Sequence, residues 1–198
     1  RRFRLTIGVP VYHGERFLAQ SLDALLAQDF GDFRLIISDN ASTDSTPEIA
    51  EEYARLDPRV EVIHQPTNVG GAANFSLLVG LADTPYFKWA SADDICAPTF
   101  VSRCIRELEE HPDAVLAYSR TLIIDDAGQP LLQYDDRLAT LDPNPAARLV
   151  DYVRMRGLSN AAQGVIRTDA LRRTSLIQPK VSSDLTLLAE LLLHGGYV

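Results

Sequence analysis

Asp93 and Asp94 follow directly on a β-prone run, Tyr86 to Ala90, and a carboxylate pair at that place could do chemistry. Such oxygens hold a hard divalent cation, Mg2+ or Mn2+, when a phosphorylated ligand completes the oxygen shell. An adjacent acidic pair also serves turns and helix caps, and Asp94 precedes Pro98 by four residues, where a cap would fall. Three other small, polar sets follow predicted strands: Val9 to Glu15 (VPVYHGE), Ser38 to Asp44 (SDNASTD), and Asn68-Val69-Gly70-Gly71 with Asn74. Residues just past the carboxyl ends of parallel strands line the ligand crevice of an open α/β sheet, so all four sets are expected on one rim. Asp184, at the start of the last helical stretch, is by position alone a helix cap.

The elements that must carry these residues can be read from periodicity. Phe3 to Tyr12 alternates as a strand, with Pro10 near its end. Phe17, Leu18, Ser21, Leu22, Leu25 and Leu26 form one stripe of a helix over Arg16 to Gln28. Phe33 to Asp39 is a second strand, and Asp44-Ser45-Thr46-Pro47 opens a helix through Tyr53. A strand follows over Arg59 to His64, a helix over Gly70 to Ala82, a strand over Tyr86 to Ala90 and a helix over Pro98 to His111. This β-α-β-α-β order predicts a parallel sheet with right-handed crossovers. Ala114 to Ile124 is one long β-prone run, and the turn-rich tract 125–130 after it suggests a hairpin. Helix returns over Asn144 to Arg156, strand over Ala162 to Arg167, and helix over Asp184 to His194 with Gly195-Gly196 as its stop.

Composition bounds the partners. The chain has 198 residues, 46% hydrophobic and 23% charged, as in an ordinary globular domain. A net charge of -8 and short basic runs (Arg1-Arg2-Phe3-Arg4, Arg172-Arg173) give no nucleic-acid footprint. Cys96 and Cys104 form neither a disulfide framework nor a zinc cluster and are expected as buried small hydrophobes. The longest apolar stretch, Leu185 to Leu193, contains Glu190 and is far short of the roughly 20 residues that span a bilayer. Starting at Arg1 and ending as a strand begins, the sequence reads as one domain taken from a longer chain.

No G-x-G-x-x-G follows the first strand and no P-loop occurs. Instead, VPVYHGERFLAQSLDALLAQ, ISDNASTDST, NVGGAANF and SADDICAP, in that order, resemble the family 2 glycosyltransferases. The resemblance runs from Phe3 to the Asp184 helix and implies the GT-A fold: a Rossmann-like, mostly parallel twisted sheet flanked by helices, here with a small β-hairpin added in the second half.

By that resemblance Pro10, Val11, Tyr12 and Glu15 lie against the base and ribose of a nucleotide sugar, and Asp39 hydrogen-bonds the base. Asn68, Gly70 and Asn74 match an N-x-G-x-x-x-N element near the nucleotide. The D-x-D signature maps onto Ser91-Ala92-Asp93. Its first acid is therefore a serine, Asp93 becomes the principal metal ligand, and Asp94 lies beside it as a second ligand or a ribose contact. Ser183-Asp184 matches an E-D pair, with serine for the glutamate and Asp184 as catalytic base. The resemblance divides the domain into a nucleotide-binding half (1–95) and an acceptor-side half (96–198), and the loop 157–164 (GLSNAAQG) is expected on the acceptor side.

The implied reaction is inverting transfer of a sugar from a nucleoside-diphosphate sugar, UDP first among them, to a hydroxyl of a saccharide or lipid-linked acceptor. The resemblance sets it in surface polysaccharide or glycoconjugate synthesis, in the cytoplasm or at the inner face of the membrane. Two alternatives stay open. A nucleotide-sugar-binding domain without turnover is suggested by Ser91 and Ser183. A sugar nucleotidyltransferase shares such a sheet but is expected to carry a glycine-rich, arginine-containing loop where this chain has Val11 to Glu15.

Overall fold

A computed structural model describes residues 3–155 and 157–198. Arg1, Arg2 and Arg156, which belong to the basic run and the end of a helix expected above, lie outside the described residues.

The first half follows the periodicities closely. Strand β1 (Leu5–Val11) is buried along its whole length and pairs in parallel with β2 (Phe33–Asp39), which pairs in parallel with β3 (Val60–His64). Helices α1 (Leu18–Leu26) and α2 (Thr46–Leu56) make the crossovers. Helix α3 (Gly71–Leu81) returns the chain to β4 (Tyr86–Trp89), which lies on the other side of β1, again parallel. The strand order therefore reverses at β1, and the crevice outside the ends of β1 and β4 is the topological switch point where such sheets bind ligands.

Two apolar layers cover the sheet. On one face Leu18, Leu22 and Leu25 of α1, with Val101, Ile105 and Leu108 of α4 (Phe100–Glu110), pack on Leu5, Ile7 and Val9. On the other, Leu78 of α3 packs with Phe87, Trp89 and the leucines of the last helix. Each fully buried leucine contributes about 2 kcal/mol of transfer free energy. Gly8 sets how closely α3 can approach, since a Cβ there would lie 3.0 Å from Leu78 Cβ and 3.1 Å from Phe87 Cζ.

The second half corrects the reading. The run 114–124 is two strands: β5 (Ala114–Ala117) joins the main sheet, whereas β6 (Thr121–Ile124) leaves it and pairs antiparallel with β7 (Pro130–Tyr134). Tyr118 sits at the break, and its hydroxyl accepts the backbone N–H of Leu138 at 2.7 Å, a tertiary tie that no local pattern announces. After α5 (Pro145–Met155), the strand expected over 162–167 is a 3-10 turn, Asn160–Gln163, followed by the three-residue β8 (Val165–Arg167). Strand β8 inserts between β4 and β5, antiparallel to both.

A short helix α6 (Thr168–Leu171) leads on to α7 (Ser183–Leu191) and then β9 (Gly196–Tyr197), parallel to β5. Gly196 is thus part of a strand, not of a helix stop. Among the described residues the main sheet runs β3-β2-β1-β4-β8-β5-β9. It is the mostly parallel, helix-flanked sheet expected above, with the hairpin β6–β7 as its addition.

Candidate active site

The loops after β1 and β2 are laced together by side chains. The Ser42 hydroxyl accepts the His13 N–H at 2.9 Å, and the Thr46 hydroxyl accepts the Gly14 N–H at 2.8 Å. Glu15 spends one carboxylate oxygen on the Ser45 N–H at 3.0 Å, the N-cap residue of α2, where an anion is favoured. Tyr12 stands 49% exposed at the rim with its ring stacked on His13, 3.9 Å between centroids. Pro10 and Val11 lie beside Ser38 and Asp39 in the parallel ladder, so the ladder alone brings the first two polar sets together.

Asp39 is 2% exposed. Its Oδ1 accepts the Ser42 N–H at 3.1 Å, an Asx-type turn, and its Oδ2 lies 3.4 Å from His64 Nδ1. The other nitrogen of His64 is 2.7 Å from Glu51 Oε1. The hydrogen bond to Glu51 is the largest cause raising the His64 pKa above its ordinary value, opposed by partial burial and helped by Asp39. His64 went unnoticed in the sequence because a histidine at a strand end carries no signal of what packs beside it.

The third set is chiefly scaffold. Asn68 Oδ1 accepts from Asn40 Nδ2 at 3.0 Å and from the Gly70 N–H at 2.9 Å. Asn74 is 2% exposed and doubly bonded to Ser38: its Nδ2 donates to the carbonyl at 2.9 Å, and its Oδ1 accepts the hydroxyl at 2.5 Å. Gly70 is the N-cap of α3 with φ of 85°, and a Cβ there would meet nothing within 4 Å. The positive φ is a conformation that glycine supplies without strain at this position.

The remaining residues gather around two adjoining spaces. A cavity of about 500 Å³ lies between the β4–α4 loop and the β5–β6 connection, lined by Lys88, Ser91, Asp93, Asp94, Tyr118 and Gln163 among others. A second, of about 270 Å³, is lined by Phe75, Trp89, Ser91, Asp94, Gln163 and Asp184. Ser91, Asp94, Asn160 and Gln163 form the wall common to both. The 157–164 loop thus contributes Asn160 and Gln163. Trp89 and Phe75 also escaped the sequence reading, because in a strand or helix such residues look like core, and Lys88 escaped it because a lysine is read as solvent-facing.

Asp93 and Asp94 are exposed and make no hydrogen bond or ion pair among the described residues, and Ala92 between Ser91 and Asp93 packs inward on the α1/α4 layer. No three of His, Cys, Asp and Glu among the described residues converge to enclose a metal. The donor set is therefore two free carboxylates, which suits Mg2+ or Mn2+ whose remaining ligands come from a diphosphate. Ser91, in the place of an acid, is tied to its neighbours: its carbonyl accepts the Ser21 hydroxyl at 2.9 Å and its Oγ accepts Gln163 Nε2 at 3.2 Å.

Asp184 lies in the first turn of α7, whose N-cap is Ser182, and no side-chain cap bond closes that end. The capping role that position alone suggested is thus not what its carboxylate does. It is half-buried on the cavity wall with no hydrogen bond of its own among the described residues. Its neighbour Ser183 shapes the preceding turn, its Oγ accepting the Gln178 N–H at 2.6 Å.

A family model described as Glycosyl transferase family 2 matches residues 6–177. The chain belongs to that family. Among curated proteins it is 29% identical over 126 residues to the putative glycosyltransferase EpsE of Bacillus subtilis, covering 63% of this chain and 45% of that protein. It is 26% identical over 173 residues to the putative glycosyltransferase EpsH of the same organism, covering 86% and 47%. The chain spans about half the length of these relatives or less.

Among solved structures, this family 2 chain superposes on Staphylococcus aureus TarS in complex with UDP-GlcNAc with a TM-score of 0.76 at 20% identity, over 99% of this chain and 56% of that one. The mannosyltransferase PcManGT of Pyrobaculum calidifontis, in complex with GDP-Man and Mn2+, gives 0.69 at 16% identity, over 100% and 55%. Both have the same fold.

Proposed function

We propose that this family 2 domain transfers a sugar from a nucleoside-diphosphate sugar, UDP-linked, to an acceptor hydroxyl with inversion. The observation that carries the reading is the meeting of Asp94 and Asp184, two carboxylates without a hydrogen bond or ion pair among the described residues, on one cavity beside the switch point. TarS, with the same fold, holds UDP-GlcNAc, which supports a uridine donor; PcManGT with Mn2+ supports a divalent cation.

In this reading the nucleotide lies along the rim from Tyr12 to Asp39, with its diphosphate toward Asp93 and Asp94. These two residues would hold Mg2+ or Mn2+, which when bound offers positive charge to the leaving diphosphate. Asp184 accepts the proton of the acceptor hydroxyl as its oxygen bonds to the anomeric carbon and the bond from that carbon to the diphosphate oxygen breaks. Attack from the face opposite the leaving group inverts the configuration. The acceptor, a saccharide or lipid-linked saccharide, enters past Asn160 and Gln163. By resemblance to enzymes of surface-polysaccharide synthesis, the setting is the cytoplasmic side of a membrane; no helix among the described residues is long and apolar enough to cross one.

Asp184→Asn tests the base directly. UDP affinity should stay within about twofold while turnover falls by about 10² to 10⁴. Turnover equal to the parent chain would remove Asp184 from the mechanism, and NMR of the product anomer decides inversion.

A further inference from the structure

Lys88 is 4% exposed in a strand whose other members are Tyr86, Phe87 and Trp89. It alternates to the same face as Tyr86, into the layer between the sheet and α4. Its ammonium donates to the Trp89 carbonyl at 3.0 Å and to the Gln163 carbonyl, and it lies 4.7 Å from the centre of the Phe100 ring. Among the described residues no carboxylate forms an ion pair with it, and burial pulls its pKa below the ordinary lysine value. Two neutral carbonyls and a ring face offset only part of the cost of desolvating a cation. An apolar side chain of similar length would cost less at this position.

The three partners belong to three segments. Trp89 ends β4 immediately before Ala90 and the Ser91–Asp94 loop, Phe100 begins α4 immediately after that loop, and Gln163 closes the 3-10 turn of the opposite wall. Gln163 returns a second tie, its Nε2 donating to Ser91 Oγ at 3.2 Å. Its Oε1 is buried without a hydrogen-bond partner, so the carboxamide is held by this one bond. Both ends of the carboxylate loop, and the wall shared by the two cavities, meet at the Lys88 ammonium.

We propose that Lys88 is a positioning residue: it clamps the carboxylate loop after β4 to the Asn160–Gln163 turn, so that Asp94 and Gln163 face one bound donor in a fixed relation. The identity of that donor rests on the proposed function, whereas the clamp does not. Lys88 touches no reacting atom and acts only through the two loops.

Lys88→Met keeps the volume and removes the donors. Relief of the cation's desolvation offsets the loss of two hydrogen bonds, so the variant should unfold in urea near the parent midpoint. Amide hydrogen exchange in 91–97 and 157–164 should rise by about tenfold or more, while β1 and α1 exchange as in the parent. With UDP-N-acetylglucosamine and Mn2+, kcat for donor hydrolysis should fall at least about tenfold and KM move less than about threefold, because the rim from Tyr12 to Asp39 is untouched.

Unchanged exchange in the two loops, or a rise spread evenly over the chain, overturns the clamp. Looser loops with kcat unmoved overturn its bearing on the reaction. If the parent chain hydrolyses no donor, the functional reading fails and the exchange result still decides the clamp. Should Lys88→Met not fold, Lys88→Gln removes the charge and shortens the side chain while keeping a polar head. Faster exchange confined to 91–97 and 157–164 then supports the clamp, and exchange unchanged in both contradicts it.

Discussion

His64 Nδ1 lies 3.4 Å from Asp39 Oδ2, while the opposite edge of the same ring is held by Glu51. The residue expected to read the nucleotide base is therefore braced from β3 and α2, and the brace depends on a proton. Because the folded pKa of His64 is raised above its ordinary value of about 6.5, the imidazolium stabilises the fold fully below that pH. The contribution disappears as pH rises through the higher folded value. Urea unfolding of the parent and His64→Gln should differ at about pH 5.5 and converge at about pH 8.5. An equal difference at both would mean that the proton does not matter.

Asn74 separates scaffold from ligand contact. Truncation to alanine leaves the Ser38 hydroxyl and carbonyl without their partner in a buried place, a loss of about 1–3 kcal/mol. The urea midpoint of Asn74→Ala should fall accordingly. A variant of unchanged stability that no longer binds nucleotide would instead make Asn74 a direct contact.

Gly70→Ala should destabilise by about 1–2 kcal/mol, since φ of 85° strains any L side chain although the space is open. At an ordinary φ the same change stabilises by about 0.4–1 kcal/mol. The sign of the shift in a denaturant titration therefore reports whether α3 begins as described.

Burial pushes the Cys104 thiol up to about 12, outweighing the opposing pull of Lys88, and it raises the Cys96 thiol as well. Thiolate is the reactive form, so native protein at about pH 7.5 should react with a thiol-specific disulfide reagent slowly at half-buried Cys96 and more slowly at Cys104. Both should react at once in urea. Fast labelling of Cys104 in the native state would contradict the packing of α4.

The first half of the fold was legible because its strands and helices are local: the alternation in β1 and the leucine stripe of α1 each state their buried face outright. The second half is governed by distant contacts. Tyr118 breaks a continuous β-prone run to reach Leu138, and the three-residue β8 is too short to announce itself before β4 and β5 close around it. At the site the carboxylates Asp93, Asp94 and Asp184 were named through the family resemblance, since position alone also fits turns and helix caps. The sequence could not name His64, Lys88 or Gln163, whose roles come from partners in other segments. Nor could it foresee that Glu15 and Asn68 each spend one side-chain oxygen, and Asn74 both its polar atoms, on neighbouring segments.

Calorimetric titration of UDP into the protein with and without Mn2+, repeated on Asp93→Ala, tests the central claim most directly. Binding of UDP that is tightened by Mn2+, with the Mn2+-dependent gain lost in the variant, is the predicted result. Absence of binding by UDP, GDP and dTDP under either condition, or a metal-dependent gain that survives Asp93→Ala, would contradict the donor site described above.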